Sequence, residues 1–304
     1  MRLALKVDVD TLVGYREGVP ALLEGLAARD IPARFFVAMG PDHSGRAIRR
    51  LFTHKGFLHK MLRTGAPRLY GWKTMLYGTL LPGPAIAASA PELLGRIVAA
   101  GHELGLHGYD HVRWQDCLSA MDRAGVQGEI DRAQEVYQHI LGYRALSFAA
   151  PGWQCTAAAL DVLVAQKFYY ISNTRGSAPY FPRIGTRAWP VLEIPTTLPT
   201  LDELLGLEGR SATDFNGEII GALEAGGTQV LTIHAEAEGR VCLTEFTALL
   251  EALQARGVAF VRLVDYAQEL WRQAERLPWA QIAPGVLPGR AGTVACQSGR
   301  TDIP

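Results

Sequence analysis

Apolar residues fall along this chain in two rhythms. Short dense runs at Leu3–Val9, Arg34–Met39, Glu103–His107, Ala145–Ala149, Phe168–Ser172, Val191–Ile194, Val230–His234 and Ala259–Leu263 read as buried strands. Most are separated by stretches whose apolar positions recur with helical period: Gly18–Ala28, Ala47–Arg63, Pro91–Ala100, Met121–Leu141, Ala157–Gln166, Asp214–Ala225, Leu243–Arg256 and Val264–Glu275. Pro91 suits a first helical position, and Gly142 and Gly257 stand where helix-terminating glycines fall. Strand-then-helix alternation predicts a parallel sheet, either a barrel or a doubly wound sheet. No GxGxxG or P-loop follows the first strand, which weakens the nucleotide-binding option. From Pro278 onward Pro, Gly, Ala and small polar residues replace any periodic apolar face. The reading is therefore one barrel-like domain over residues 1–276, followed by a disordered or loosely docked tail at 277–304.

Composition narrows the class. With 48% hydrophobic residues in 304, and Lys+Arg 30 against Asp+Glu 30, the chain is neither an acidic disordered polymer nor a globally basic nucleic-acid binder. Cys117, Cys155, Cys242 and Cys296 are far apart and form no CxxC pair, so neither a disulfide framework nor a zinc ribbon is indicated. The amino-terminal segment turns acidic at Asp8, too early for the apolar region of a signal peptide. Pro82, Gly83 and Pro84 interrupt the charge-free run Thr74–Pro91, so it is not read as a membrane span. These features predict a cytoplasmic protein.

The neutral total conceals a local asymmetry. No acidic residue lies between Asp42 and Glu92, whereas Arg46, Arg49, Arg50, Lys55, Lys60, Arg63, Arg68 and Lys73 all do, interleaved with Phe52, Phe57, Tyr70, Trp72 and Tyr77. This stretch, 43–91, reads as a basic-aromatic insertion near the second strand–helix connection. Cations among aromatic rings suit an anionic, amphipathic surface such as lipid headgroups. The alternative is an ordinary insertion whose charges pair with acids elsewhere.

Candidate chemistry gathers at the carboxyl ends of predicted strands, where α/β barrels place their sites. Asp8 and Asp10 leave one face of the first strand, and two such carboxylates repel unless a cation or a shared proton relieves them. By themselves they also read as a capped turn with Thr11. In Gly101-His-Glu-Leu-Gly-Leu-His107-Gly-Tyr-Asp-His111 the spacing departs from the H-E-x-x-H of a helical zinc protease. On a strand, a turn after His107 brings His111 back beside it, and two imidazoles with one carboxylate form a facial set for a borderline divalent ion. His234, after an apolar strand in Val230-Leu-Thr-Ile-His-Ala-Glu236, reads either as a structural histidine or as an acid–base group.

Together with Ala149-Ala-Pro151-Gly-Trp153, these segments resemble the polysaccharide-deacetylase (NodB-type) family of metal-dependent amide hydrolases. The resemblance implies a distorted (β/α) barrel, with the basic-aromatic segment inserted into it. A narrower similarity, carried by Arg16-Glu-Gly-Val-Pro20, Val37-Ala-Met-Gly-Pro41-Asp42, Leu69-Tyr70-Gly71-Trp72, Ile194-Pro-Thr-Thr-Leu-Pro-Thr200 and Asp214-Phe-Asn-Gly217, is to members that remove an N-formyl group from a lipid-linked amino sugar at the cytoplasmic membrane face. It implies Asp10, His107 and His111 as ligands of one divalent ion, zinc first, with manganese, cobalt or nickel also suited. It further implies Asp8 as general base and His234 as general acid. Substrate would meet Arg16, Tyr109, Trp153, Asn173 and Arg175. Lipid phosphate or membrane would meet Arg46, Arg49, Arg50, Lys55, Lys60, Arg63, Trp72 and Lys73, placing the protein peripherally on the inner membrane. No nucleic acid or protein partner is implied. An N-deacetylase of another sugar and a non-catalytic carbohydrate- or lipid-phosphate-binding protein are the other readings. Three positions depart from the family's pattern: Ala149 stands where an arginine pairs with the catalytic aspartate, Gln154 where an arginine follows the tryptophan, and Asn173 where a carboxylate supports the catalytic histidine.

Overall fold

A computed structural model of the protein describes residues 1–50, 61–63, 65, 71–223 and 226–298. The first strand, β1 (Arg2–Val9), is buried along nearly its whole length, as its near-continuous apolar run requires of a central parallel strand. One edge of β1 pairs in parallel with β8 (Thr228–His234) from Arg2 to Asp8. The other pairs with β9 (Ala259–Val261) at residues 2–4 and with β2 (Arg34–Val37) at residues 6–9. Beyond β2 the parallel sheet continues through β3 (Glu103–Leu106), β4 (Ser147–Phe148) and β5 (Tyr170–Ile171). Helices α1 (Val19–Ala27), α2 (Glu92–Ala99), α3 (His111–Cys117), α4 (Arg123–Leu141) and α5 (Ala157–Ala165) follow or precede these strands. The expected strand at Val191–Ile194 forms only single bridges. Its backbone bonds Ile171 on one side, and Thr197 and Leu198 bond the Val230 carbonyl on the other. This irregular segment thereby closes the gap between β5 and β8 and gives the barrel its distortion.

Besides the Val191–Ile194 segment, one predicted feature differs from the structure and another falls largely on residues outside those described. The expected helix Ala47–Arg63 lies largely outside the described residues, and Ser44–Arg49 is a 3-10 turn. The segment expected to lack structure forms instead β10 (Trp279–Gly285) and β11 (Val294–Ser298), an antiparallel pair. With β6 (Phe181–Ile184) and β7 (Arg187–Ala188) they complete a second, four-stranded sheet. Residues 279–298 show no regular apolar period. Their order comes from backbone pairing, from Ile282 and Ala295 in the main core, from Trp279 beside Phe181, and from Val294 and Cys296 packing on Trp153, contacts invisible to local periodicity. Residues 299–304 lie outside the described residues. All four cysteines are free, and no helix among the described residues is long and apolar enough to cross a membrane.

The barrel interior is charged. Register aligns Lys6 with Arg34 and Thr232, and Arg34 with Glu103. Arg34 meets Glu103 at 3.0 Å, and Lys6 meets Asp8 at 3.3 Å. Room for these side chains depends on Gly105, where a β-carbon would run into Ser147 Oγ, Arg34 and Phe36. Within the closing segment, Glu193 is fully buried and accepts from the Asn173 amide at 2.8 Å and from the Thr174 amide and hydroxyl at 3.0 Å.

Burial pushes the Glu193 carboxyl up to about 7, from an ordinary 4.5. A carboxyl whose folded value lies above its unfolded value keeps its proton longer when folded. Its contribution to stability is therefore full below pH 4.5 and declines as pH rises toward 7, by about 3 kcal/mol in total. Glu193→Gln keeps an acceptor for Asn173 and Thr174 without a charge to bury. Urea unfolding between pH 5 and 8 is expected to show a flatter pH dependence for the variant, with a gain over wild type at pH 8; parallel curves would contradict this account.

Candidate metal centre and active site

The ends of β1, β3 and β8 bring the predicted residues together. Asp8 and His234 are register partners across the β1–β8 pair, so both face the barrel interior at one rim. Asp10 lies just past β1. Its place is fixed by Glu236, whose Oε1 accepts from the amides of Asp10 (2.9 Å) and Thr11 (2.8 Å) and from the Thr11 hydroxyl (2.8 Å). Gly14 is required there, because a β-carbon would fall on the Glu236 carboxylate. His107 follows β3. His111 opens α3, a helix capped by Asp110, whose carboxylate accepts from the Arg113 amide at 3.0 Å.

Asp10, His107 and His111 place one ligand atom each within 4.8 Å of one another. Oδ1 of Asp10 is 3.2 Å from His107 Nε2, and Oδ2 is 3.3 Å from His111 Nε2. His107 Nδ1 lies 2.9 Å from the Ala149 carbonyl, which can only accept, so Nδ1 carries the proton and Nε2 turns its lone pair to the site. Asp10 Oδ1 is buried and has no hydrogen-bond donor. Acceptor facing acceptor in a buried place is an arrangement that a divalent cation relieves, and one carboxylate with two imidazoles suits a borderline ion. Burial by itself would raise Asp10, but protonated His111 and His107, whose positive charge takes the place a cation would take, hold the carboxyl well below its usual range.

The surroundings of His234 favour its protonated form. Burial alone would lower it, but the carboxylates of Asp202, Asp10, Glu238 and Asp8 outweigh burial and raise it above 6.5. Glu238 also accepts the His234 amide at 2.9 Å. Asp202, on α6 (Leu201–Leu204), and Glu238 thus contribute negative charge near His234. Sequence reading missed both, although the alternation His234-Ala-Glu-Ala-Glu238 carries a trace of the second. Asn173 is fully buried, its amide on Glu193.

Trp153 walls the site, edge-on to His234 with ring centroids 6.3 Å apart. Its backbone is left-handed (φ 51°), a strained state for a large residue, and its indole nitrogen donates to Thr196 Oγ1 at 3.1 Å. Tyr109 is half-buried under the Arg132 guanidinium, and Arg16 is exposed with its guanidinium on the Ser89 carbonyl. Two expectations are corrected. Arg175, expected at the substrate, is buried and engaged by Glu203 at 2.6 Å and the Leu198 carbonyl at 2.8 Å. Arg63, expected at lipid, instead donates to the carbonyls of Leu205, Asp202 (3.1 Å) and Gly289 (2.9 Å), because the irregular backbone around α6 leaves those acceptors open. Arg50 pairs with Asp116 at 2.7 Å and Arg46 bonds the Gly78 carbonyl at 3.0 Å. Lys55 and Lys60 lie outside the described residues.

Residues 8–171 match the family model described as polysaccharide deacetylase. A protein of Shewanella sediminis (strain HAW-EB3) is 39% identical over 98% of this chain and 95% of its own length, and one of Wigglesworthia glossinidia brevipalpis is 33% identical over 94% and 98%. Both bear the name "Probable 4-deoxy-4-formamido-L-arabinose-phosphoundecaprenol deformylase ArnD". Among solved structures, one titled a probable polysaccharide deacetylase from Pseudomonas aeruginosa PAO1 superposes with a TM-score of 0.61 at 19% identity, covering 90% of this chain and 92% of that one, a likeness of fold. By sequence along nearly its whole length and by fold, the chain belongs to the polysaccharide deacetylase family.

Proposed function

We propose that this protein hydrolyses the N-formyl group of 4-deoxy-4-formamido-L-arabinose phosphoundecaprenol, releasing formate and a free amine for lipid A modification. The observation that carries the reading is the Asp10–His107–His111 donor set beside Asp8 and His234 at one barrel rim, in a chain related end to end to proteins named for that reaction. Asp10, His107 and His111 would hold a divalent ion, zinc first and manganese, cobalt or nickel by the same donors, which would supply an acidified water and polarise the formyl oxygen. Asp8 accepts the proton of the attacking water. Its Oδ1 is buried without a hydrogen-bond donor, while Oδ2 is engaged by Lys6. An amide nitrogen leaves poorly as an anion, and His234, whose protonated form is favoured by its carboxylate neighbours, delivers a proton to it. Trp153 and Tyr109 wall the sugar, and Arg16 is the exposed cation offered to the phosphate.

The substrate's polyprenyl chain calls for contact with the inner face of the cytoplasmic membrane, and the insertion supports that reading. Trp72 is 73% and Leu80 81% exposed, with Ile48 and Leu62 also exposed and Lys73 beside Trp72. Exposed apolar side chains next to cations suit a headgroup boundary.

Formate release from detergent-dispersed substrate is expected to vanish on chelation and return with zinc. Asp8→Asn and His234→Asn should each lower kcat by about a thousandfold while keeping one metal per chain, whereas His107→Ala should lose the metal. Turnover of an N-acetyl substrate with none of the N-formyl one would replace this reading with a deacetylase. In a vesicle-sedimentation assay, Lys73→Ala should weaken binding to anionic vesicles about fivefold and Trp72→Ser should weaken it further. Binding indifferent to salt and to both changes would remove the membrane surface from this part of the chain.

A further inference from the structure

Lys6 is fully buried in the barrel, a costly place for an ammonium group unless a carboxylate requires it. Side chains two apart on a strand leave the same face, and Lys6 reaches Asp8 Oδ2 at 3.3 Å from within β1 itself. Its remaining neighbours fix the ammonium from other sides: the Ser172 carbonyl at 3.4 Å, the Phe36 ring at 5.5 Å and the Trp153 ring at 5.6 Å. One oxygen of Asp8 is thus held and the other left open. Ala149, at the position where the family's pattern has an arginine, is a small residue buried in the same cluster as Phe36.

We infer that Lys6 is the positioning residue for Asp8, supplying from β1 the cation that Ala149 cannot supply from β4. The inference rests on the proposed role of Asp8 as the base. A tether two residues away on the same rigid strand fixes the carboxylate's orientation without depending on any loop.

The test is steady-state formate release by the full chain carrying Lys6→Met, Lys6→Arg, or Lys6→Met with Ala149→Arg, with zinc content and thermal midpoint measured on each. Lys6→Met is expected to lower kcat about a hundredfold through misplacement of Asp8, with KM within about twofold of wild type and zinc retained. Lys6→Arg should recover most of the loss, and so should Ala149→Arg added to Lys6→Met, by returning a cation from the other strand. Wild-type kcat in Lys6→Met, or a double variant no better than the single one, overturns the assignment. If Lys6→Met does not fold, Lys6→Gln, which keeps a donor for Ser172 but carries no charge, is read by the same criteria. Absence of formate from wild type would reject the deformylase reading instead. Lys6 would then be judged from the Asp8 rotamer in crystals of Lys6→Met, where a rotated carboxylate supports the tether and an unmoved one overturns it.

Discussion

A charge taken out of water must find a partner, and the interior of this barrel is organised by that requirement. β1 carries Lys6 and Asp8 inward, β2 carries Arg34 and β3 carries Glu103; Lys6 and Asp8 answer each other along one strand, and Arg34 and Glu103 answer each other in register. Gly105 is a glycine because Ser147, Arg34 and Phe36 occupy the space its side chain would take. The acids that lack a cation find backbone amides: Glu193 holds the turn at Asn173 and Thr174, and Glu236 holds the turn at Asp10 and Thr11. Both turns lie beside the candidate site, so its geometry follows from how buried carboxylates are satisfied.

The parts legible in the sequence are those whose signal is local. Asp8-Val-Asp10 alternates along a strand and His107 and His111 are separated by a single turn, so spacing pairs the acids and pairs the histidines, while joining Asp10 to the histidines takes the family resemblance and, in the fold, the parallel order of β1, β2 and β3. The strands and helices around them carry clear apolar periods, and Gly142 closes α4 in the left-handed conformation expected of it. What escaped is non-local. Asp202 reaches the electrostatics of His234 from a helix beyond the irregular closing segment, and no spacing rule links residue 202 to residue 234. Arg63 and Arg175 look like surface cations in the sequence, and only the folded chain shows the carbonyls and the carboxylate that engage them. β10 and β11 were hidden because their apolar partners, the main core around Ile282 and Ala295, Phe181 and Trp153, lie far away in the sequence.

The three departures from the family's pattern also look different in the fold. At Asn173 and Ala149 a neutral residue stands where a charged one belongs, and in both cases a charge arrives from elsewhere: Asp202 and Glu238 toward His234, Lys6 toward Asp8. At Gln154 the side chain ties instead to the Thr293 carbonyl on the loop between β10 and β11, at 2.8 Å. An electrostatic requirement can be met from any strand that reaches the same point, so a motif written as residue positions is a narrower description than the field those residues create.

The wall of the site has a consequence for how the molecule is made. Trp153 is covered by Val294 and Cys296, and the Arg290 guanidinium stacks on its ring at 4.6 Å, so segments from the middle and the far end of the described chain finish the rim together. The ribosome delivers the five residues from Asp8 to His234 well before those covering groups. A nascent chain can therefore hold every polar group of the site while Trp153, in its strained backbone, still has one face in water. Completion of the rim is thus a late event, which delays a closed site until nearly all of the fold is in place.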